Sequence, residues 1–221
     1  MFANIVNIMS KYWRIYLITG VGYTLLLSML TVFFGVIIGL LICVGRMSKF
    51  KPLSVLCSAV VDVIRGTPML LQIYVGYFII PKILPFQVSE FAAVAISLAI
   101  NSGCYLSEAF RSGIQAVDPG QAEASRSLGL SQKQTMQKVI LPQAIKNILP
   151  ALGNEFVMII KDTSLASTFF IGEVMTSYLK VKGITYLTME NLIIVAVIYY
   201  VLTKVISTVL NKFELRLKAS D

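Results

Sequence analysis

Long apolar runs constrain this chain more than any other feature of its sequence. Residues 21–44 contain no charged side chain, and about 20 consecutive apolar residues in a helix are enough to cross the hydrocarbon core of a bilayer. Charged residues make up 14% of the chain, whereas ordinary globular chains have about 25%. Most of them are gathered into short stretches between the apolar runs. The sequence therefore predicts an all-α polytopic membrane protein.

Five transmembrane helices are predicted, over residues 21–44, 53–80, 91–110, 148–170 and 192–210. The second is interrupted by the sequence Arg65-Gly66-Thr67-Pro68, and the fourth contains Lys161 and Asp162. Since charged groups and a broken helix are costly in lipid, we expect these two spans to face protein or water. Small residues expected at close contacts between spans are Gly20, Gly22, Gly35 and Gly39.

Positively charged residues between the spans predict the orientation of the chain. The richer of the two sets of alternate loops contains Arg46, Lys49, Lys51, Arg111, Arg126, Lys133, Lys138, Lys146, Lys212, Arg216 and Lys218. The poorer set contains Lys11, Arg14, Lys82, Lys180 and Lys182. Cytoplasmic loops carry the excess of positive charge, so the N-terminus is predicted outside and the C-terminus in the cytoplasm. This bias also explains the formal net charge of +8, which therefore does not indicate nucleic-acid binding.

The first 19 residues differ from the spans because they are amphipathic. Their basic and aromatic residues are typical of helices anchored at a membrane surface, and they are Lys11, Tyr12, Trp13, Arg14 and Tyr16. The apolar run that follows is too long for a signal peptide and has no clear cleavage site. We therefore predict an interfacial segment over residues 1–19, a single transmembrane domain over residues 20–212 and a cytoplasmic tail over residues 213–221.

The residue inventory leaves little chemistry for an enzyme. The chain has no histidine, and Cys43, Cys57 and Cys104 lie within or beside apolar spans without forming a Cys-x-x-Cys pair. Nucleophiles of the Ser-His-Asp and Cys-His types are excluded, and we expect no catalytic residue and no metal site. The phosphate-binding sequence Gly-x-x-x-x-Gly-Lys-Ser/Thr is also absent, so the chain is not expected to bind or hydrolyse a nucleotide by itself.

A polar insert between the third and fourth predicted spans begins with the signals of a short helix. Asp118 can cap the free N–H groups of the first turn, Pro119 suits the first helical position, and Gln121 stands where a capping box has Glu or Gln. We expect the helix to end at Gly129, which readily adopts the left-handed conformation, with Leu130 folding back.

The whole insert, about residues 111–147, continues with a second capping pair, Ser131 and Gln134. Small side chains give the first helix little bulk, so that it fits deep into a groove on a partner. These side chains are Ala122, Ala124, Ser125 and Ser127. We interpret the insert as a docking surface for a protein in water. The alternative is a cytoplasmic loop with two surface helices.

Here the sequence resembles a family. Glu123-Ala124-Ser125, Gly129 and Val139-Ile140-Leu141-Pro142 are similar to the EAA loop of ABC-importer membrane subunits. In that pattern Glu-Ala-Ala is followed by three residues, Gly, nine residues, Ile, one residue and Leu-Pro. The spacing matches throughout. Two positions depart from it, because Ser125 stands for the second Ala and Val139 for the Ile, and both are small or isosteric changes that keep the shape of the surface.

Other stretches are similar to the polar amino-acid permease subfamily, namely Arg65-Gly66-Thr67-Pro68, residues 108–113, Gln143-Ala144 and residues 161–165. The resemblance implies an importer in the bacterial cytoplasmic membrane, in which two permease subunits, identical or paralogous, line one pathway. An extracytoplasmic solute-binding protein delivers an amino acid, and two cytoplasmic ATPase subunits hydrolyse ATP. The helix over residues 119–128 is then the coupling helix. The implied ATPase-coupling residues are Gln121, Glu123, Ala124, Ser125, Gly129 and Leu130.

Polar residues within the predicted spans are candidates for the substrate pathway, because each is costly in lipid. Asn154 and Glu155 follow Pro150 and are expected to contact the substrate. The alternative for Glu155 is a structural ion pair with a lysine or arginine. The other candidates are Arg65, Thr67 and Asn101, together with Asp62, Glu108, Lys161 and Asp162.

Two groups of these candidates have structural alternatives. The break at Arg65 and Thr67 frees backbone groups for a ligand or a gate, or it is a structural kink in which Asp62 pairs with Arg65. Lys161 and Asp162 are expected to form a local ion pair near the cytoplasm or a subunit interface.

An ion-gradient-driven secondary transporter or channel is the alternative function, since it is also polytopic and contains buried charges. The chain has no evident inverted repeat, however, and many secondary transporters have one. That alternative also leaves the capped insert without a purpose.

Overall fold

The computed structural model of the protein describes residues 1–218, with side chains as far as Arg216. This part of the chain contains helices and no β-strand. The α-helices are α1 Phe2–Trp13, α2 Val21–Arg46, α3 Lys51–Arg65, α4 Met69–Ile83, α5 Glu90–Gln115, α6 Pro119–Ser127, α7 Gln132–Thr135, α8 Leu141–Asp162, α9 Val174–Thr185 and α10 Thr188–Lys218. Two π-helical segments, Arg14–Gly20 and Met136–Ile140, and a 3-10 helix, Thr163–Phe169, connect them. The end of the predicted tail, residues 219–221, and the side chain of Lys218 lie outside the described residues.

The first helix is longer than predicted. α1, the π-helical segment and α2 form one helix, Phe2–Arg46, of 45 residues, and at 1.5 Å per residue it exceeds the roughly 30 Å of the hydrocarbon core. The predicted boundary at residue 19 therefore falls inside a continuous helix. The interfacial position of the first turns stays a prediction. α1 packs against α10. In the π-helical segment that follows, the Tyr16 hydroxyl donates a hydrogen bond of 2.7 Å to Asn191 Oδ1 of α10.

α2 and α5 pack closely because small residues meet at their contact. A Cβ atom on Gly39 would come within 2.9 Å of the Gly103 carbonyl oxygen, and one on Gly35 within 3.0 Å of Ser102 Oγ. The expected close contact at these two glycines is thus confirmed. The expectation for Gly22 was wrong, since it is exposed and no neighbouring atom lies within 4 Å of the position of its Cβ.

The second predicted span is a bent pair of helices. The chain bends by 111° between α3 and α4, across residues 66–68, so the interruption predicted there is confirmed. Pro68 cannot donate a backbone hydrogen bond and disfavours the helical conformation of Thr67, which ends α3. α4 then packs through Ile73 into a core shared with α2, α5 and the 3-10 helix, formed by Leu27, Val94, Leu98, Ala166 and Phe169.

Three helices within residues 1–218 are long and apolar enough to cross a membrane, namely Phe2–Arg46, Glu90–Gln115 and Thr188–Arg216, and the bent pair adds a fourth if it is one span. The fourth predicted span lies in α8, which starts seven residues before the predicted start at residue 148 and gives way to a 3-10 helix after Asp162. Its polar residues make it less apolar than the others. The all-helical membrane fold is established, and the count of five spans stays a prediction.

Candidate functional site

The predicted coupling helix is present as α6, between α5 and the helices that lead into α8. Asp118 Oδ1 accepts a hydrogen bond of 2.8 Å from the Gly120 backbone N–H, and Pro119 is the first helical residue. At the other end Gly129 adopts a φ of +84°. The N–H of Leu130 donates to the Ser125 carbonyl and that of Gly129 to the Arg126 carbonyl. This pair of bonds is a Schellman motif, the ending that the glycine predicted.

The capping box lies in the second helix of the insert, not in the first. Ser131 Oγ accepts from the Gln134 backbone N–H at 3.3 Å, and the Gln134 side chain accepts from the Ser131 N–H at 2.9 Å. Gln121 has the spacing for the same arrangement, but the Asp118 cap is made through Gly120. Gln121 is exposed, and its carbonyl accepts from the Ser125 hydroxyl at 2.6 Å.

The structure divides the implied coupling residues between two faces of α6. Ser125 is buried, with 6% of its surface exposed, and Ala122 packs on a cluster formed by Val117, Ile140 and Ala144. The outward face consists of Gln121, Glu123, Ala124 and Ser127, all exposed. Leu130 is half-buried, and Gly129 is exposed.

Leu128, which the sequence reasoning did not select, is the most prominent apolar group of this outward face. It is 82% exposed and lies at the end of α6 beside Gly129. A single exposed apolar side chain is common on protein surfaces, so it is the place of Leu128 at the end of α6, and not its exposure alone, that makes it a candidate for contact with another protein. Its position directly before the helix-ending glycine was the signal available in the sequence.

Two arginines bind Glu108 near the end of α5 that is predicted to lie at the cytoplasmic side. Its Oε2 pairs with Arg46 Nη1 at 2.5 Å, and its Oε1 pairs with Arg111 Nη2. Arg46 is the last residue of α2, so this cluster ties α2 to α5 just before the polar insert. Glu108 therefore has a structural role, which separates it from the other pathway candidates.

Asn154 and Glu155 face different parts of the protein. Asn154 is exposed and lines a groove of about 250 Å³ between α8 and α10, together with Gly153, Ser207 and Asn211. Glu155 is buried, with 9% of its surface exposed, and faces Ser102 of α5. The structure does not bring the two side chains into one site. Among the described side chains Glu155 has no ion pair with a lysine or arginine, so the alternative of a structural pair within the chain is wrong.

Thr67 and Asn101 are brought together by a residue that the sequence reasoning missed, Gln72. The Gln72 Nε2 group donates to Thr67 Oγ1 at 2.8 Å, and the Gln72 Oε1 atom accepts from Asn101 Nδ2 at 2.7 Å. Arg65 is exposed, with its guanidinium carbon 5.2 Å from the centre of the Tyr105 ring. No ion pair joins Arg65 to Asp62 within the described part of the chain, so the predicted Asp62 partner was wrong. The aromatic ring takes that place.

The predicted ion pair between Lys161 and Asp162 is not formed. Consecutive residues of a helix point about 100° apart and do not face each other. Lys161 is exposed and Asp162 half-buried. The expectation that these two adjacent residues form an ion pair was therefore wrong.

The family described as "Binding-protein-dependent transport system inner membrane component" matches residues 31–218. The chain belongs to this family. As a permease of this type it is similar over nearly its whole length to the arginine transport system permease protein ArtQ of Bacillus subtilis (strain 168), with 35% identity over 93% of this chain and 94% of the relative. It is 36% identical to the putative glutamine transport system permease protein GlnP of Rickettsia bellii (strain RML369-C), over 100% of both chains.

Solved structures support the same assignment for this permease. A chain from the "Crystal structure of an amino acid ABC transporter with histidines" superposes with a TM-score of 0.88 and 42% identity, over 94% of this permease and 96% of that chain. A chain from "Inward facing conformations of the MetNI methionine ABC transporter: CY5 native crystal form" superposes with a TM-score of 0.76 at 20% identity, over 91% of this permease and 96% of that chain. The second likeness concerns the fold alone.

Proposed function

We propose that this permease is the membrane-spanning subunit of an ATP-driven ABC importer for an amino acid. An extracytoplasmic solute-binding protein delivers the substrate, and two cytoplasmic ATPase subunits supply the energy. The relatives are named for arginine, glutamine and L-cystine transport, which supports an amino acid as the substrate class. A second permease subunit, identical or paralogous, completes the pathway.

The observation that carries this proposal is the two-sided α6. Its inward face is buried at Ser125 and packs through Ala122 on the cluster of Val117, Ile140 and Ala144, while its outward face presents Glu123, Ala124 and Leu128. A short helix that is capped at both ends and packed against the start of α8 is suited to transmit a movement of a docked ATPase to the membrane domain. A ligand-driven change of state in a partner is transmitted in this way through a rigid element.

The proposed topology has five spans, with α8 as the fourth and the N-terminus outside the bacterial cytoplasmic membrane. The bent pair α3–α4 is then one span, and the basic residues of the insert lie in the cytoplasm. α8 contains polar groups and packs against α2, α5 and α10. Its buried face, which includes Glu155, is turned into the bundle, as the polar groups of a less apolar span require.

ATP is bound and hydrolysed by the partner subunits in this proposal, and the permease itself needs no cofactor. Arg65, Thr67, Asn101, Asn154 and Glu155 remain the proposed substrate-pathway residues, on at least two separate surfaces. A secondary transporter or channel is not favoured, because that function explains neither the family membership nor the coupling helix.

The test is reconstitution of the permease in proteoliposomes with and without its ATPase and binding-protein partners. We expect uptake of a labelled amino acid only when the binding protein, the ATPase and ATP are all present. Glu123→Lys should abolish ATPase docking and uptake, while the surface variant Lys49→Gln, in the loop between α2 and α3, serves as the control. Uptake by the permease alone, driven by an ion gradient and indifferent to ATP, contradicts the proposal.

A further inference from the structure

The break between α3 and α4 leaves the Ile64 carbonyl without its usual donor. In a continuous helix the Ile64 carbonyl accepts from the N–H four residues later, but that residue is Pro68, which has no N–H. The Gln72 side chain supplies the closest donor in its place, since its Nε2 lies 2.6 Å from the Ile64 carbonyl oxygen and 3.0 Å from that of Thr67. The Thr67 N–H and hydroxyl make only longer contacts to Ile64, of 3.5 Å and 3.4 Å. One amide thus satisfies the end of α3 from the first turn of α4.

The same amide also connects the break to α5. Asn101 Nδ2 donates a hydrogen bond of 2.7 Å to Gln72 Oε1, and Asn101 is buried, with 7% of its surface exposed. A single side chain therefore makes polar contacts to α3 and α5 from its own position on α4.

α5 is the element that links this point to the polar insert. It runs without interruption from Glu90 to Gln115, and α6 begins at Pro119. Asn101 and Glu108 lie on this helix, the first bonded to Gln72 and the second paired with Arg46. α5 therefore contacts Gln72 at the bend through Asn101 in its middle, and the coupling helix follows its C-terminal end. It connects the two sites as one continuous helix.

A groove opens beside the break. It has a volume of about 360 Å³ and is lined mainly by apolar side chains, with Thr67, Gln72 and Ser97 as its polar groups. A rotation of α4 relative to α3 changes the shape of this groove, because residues of both helices form its walls.

We infer that Gln72 is the positioning residue of this permease, which sets the angle between α3 and α4 and, through Asn101, makes that angle follow the movement of α5. The first part of the inference concerns the chain alone. The second part rests on the proposed function, since it needs an ATPase that moves the insert.

The angle is measured on the full-length permease in nanodiscs, without partners. Spin labels are placed on two exposed residues, Val55 of α3 and Ile83 of α4, after the native cysteines are replaced. We expect Gln72→Leu to broaden or shift the distance distribution, and Asn101→Leu to leave it unchanged, since Gln72 still caps Ile64. A Gln72→Leu distribution identical to wild type overturns the role in setting the angle.

Coupling is measured in the complete transporter as ATP hydrolysed per amino acid imported. We expect Asn101→Leu to raise this ratio roughly tenfold, within the range typical of coupling between sites, and Asn101→Gln, which keeps the amide donor, to restore most of the coupling. Ser97→Ala is the matched control, because within the described residues the Ser97 hydroxyl donates only to the Ala93 carbonyl of its own helix. An unchanged ratio in Asn101→Leu overturns the link to α5.

Failure to fold is separated from loss of coupling by a second variant and a second readout. Asn101→Ala is tested in parallel, and thermal unfolding and ATPase association are recorded for every variant. Absence of ATP-dependent uptake in the wild-type complex contradicts the proposed function. The role of Gln72 in the bend is then still tested by the spin-label distances in nanodiscs, which need no partner.

Discussion

Arg46, the last residue of α2, and Glu108 of α5 form an ion pair in which Nη1 and Oε2 are 2.5 Å apart. The Arg46 side chain is 13% exposed and that of Glu108 is 23% exposed. Arg111 binds the second carboxylate oxygen, so one carboxylate balances two guanidinium groups. The cluster fixes the relative position of α2 and α5 where the chain leaves the membrane domain for the insert.

Removing this carboxylate is expected to destabilise the permease. Glu108→Ala leaves two arginines without their counter-charge, at a cost of about 2 kcal/mol for a pair that keeps some exposure to water. The temperature of unfolding in detergent should fall by several degrees. Gln115→Ala is the control, because it removes only an exposed hydrogen bond from Arg111. Equal unfolding temperatures for the two variants contradict the structural role of Glu108.

Gly129 is expected to be required for its backbone conformation. Its φ of +84° is unfavourable for residues with a side chain, although no neighbouring atom lies within 4 Å of the position of a Cβ. Gly129→Ala should therefore distort the end of α6 at a cost of about 1 kcal/mol. Gly129→Asn should cost less, since asparagine adopts this conformation more easily. ATPase affinity measured by titration should follow the order Gly, Asn, Ala, and the reverse order of the last two contradicts the argument.

Leu128 is expected to contribute to docking of the ATPase. If its exposed side chain becomes buried in the partner, Leu128→Ala should weaken binding by about 1–2 kcal/mol, or roughly tenfold in Kd. Ser125→Ala is the matched control on the same helix, because Ser125 faces its own chain. Isothermal titration with the purified ATPase measures both. A Leu128→Ala variant that binds as tightly as wild type removes this residue from the interface.

Pro68 is expected to cause the bend between α3 and α4. Pro68→Ala supplies an N–H for the Ile64 carbonyl and relieves the restriction on Thr67, so the bend of 111° should decrease toward a straighter helix. The spin-label distance between Val55 and Ile83 should then increase. Pro81→Ala is the control, since Pro81 lies inside α4 without breaking it. An unchanged distance in Pro68→Ala means that tertiary packing alone imposes the bend.

Features that depend on neighbouring residues in the sequence were predicted well. The α5 span was predicted as residues 91–110 and observed as Glu90–Gln115, because apolar length decides whether a helix crosses a membrane. The cap at Asp118, the turn at Gly129 and the capping box at Ser131 also follow from local chemistry, since each needs only a few adjacent residues.

Features that depend on distant contacts were not predicted. Gln72 and Asn101 are 29 residues apart, and no pattern in the sequence pairs them. The burial of Glu155 beside Ser102 depends on how α8 rotates against α5, which a single sequence does not specify. Adjacency was misleading for Lys161 and Asp162, because neighbours in a helix point in different directions.

The burial of Ser125 has a consequence for exchanging partners between related transporters. The position where this chain departs from the Glu-Ala-Ala pattern is buried within its own chain and is closed to a cytoplasmic protein. Inward residues of α6 are therefore expected to vary together with α8 of the same chain, and outward residues together with the ATPase. A hybrid transporter should then need only the outward side chains of another permease grafted onto α6, with Ala122 and Ser125 left as they are.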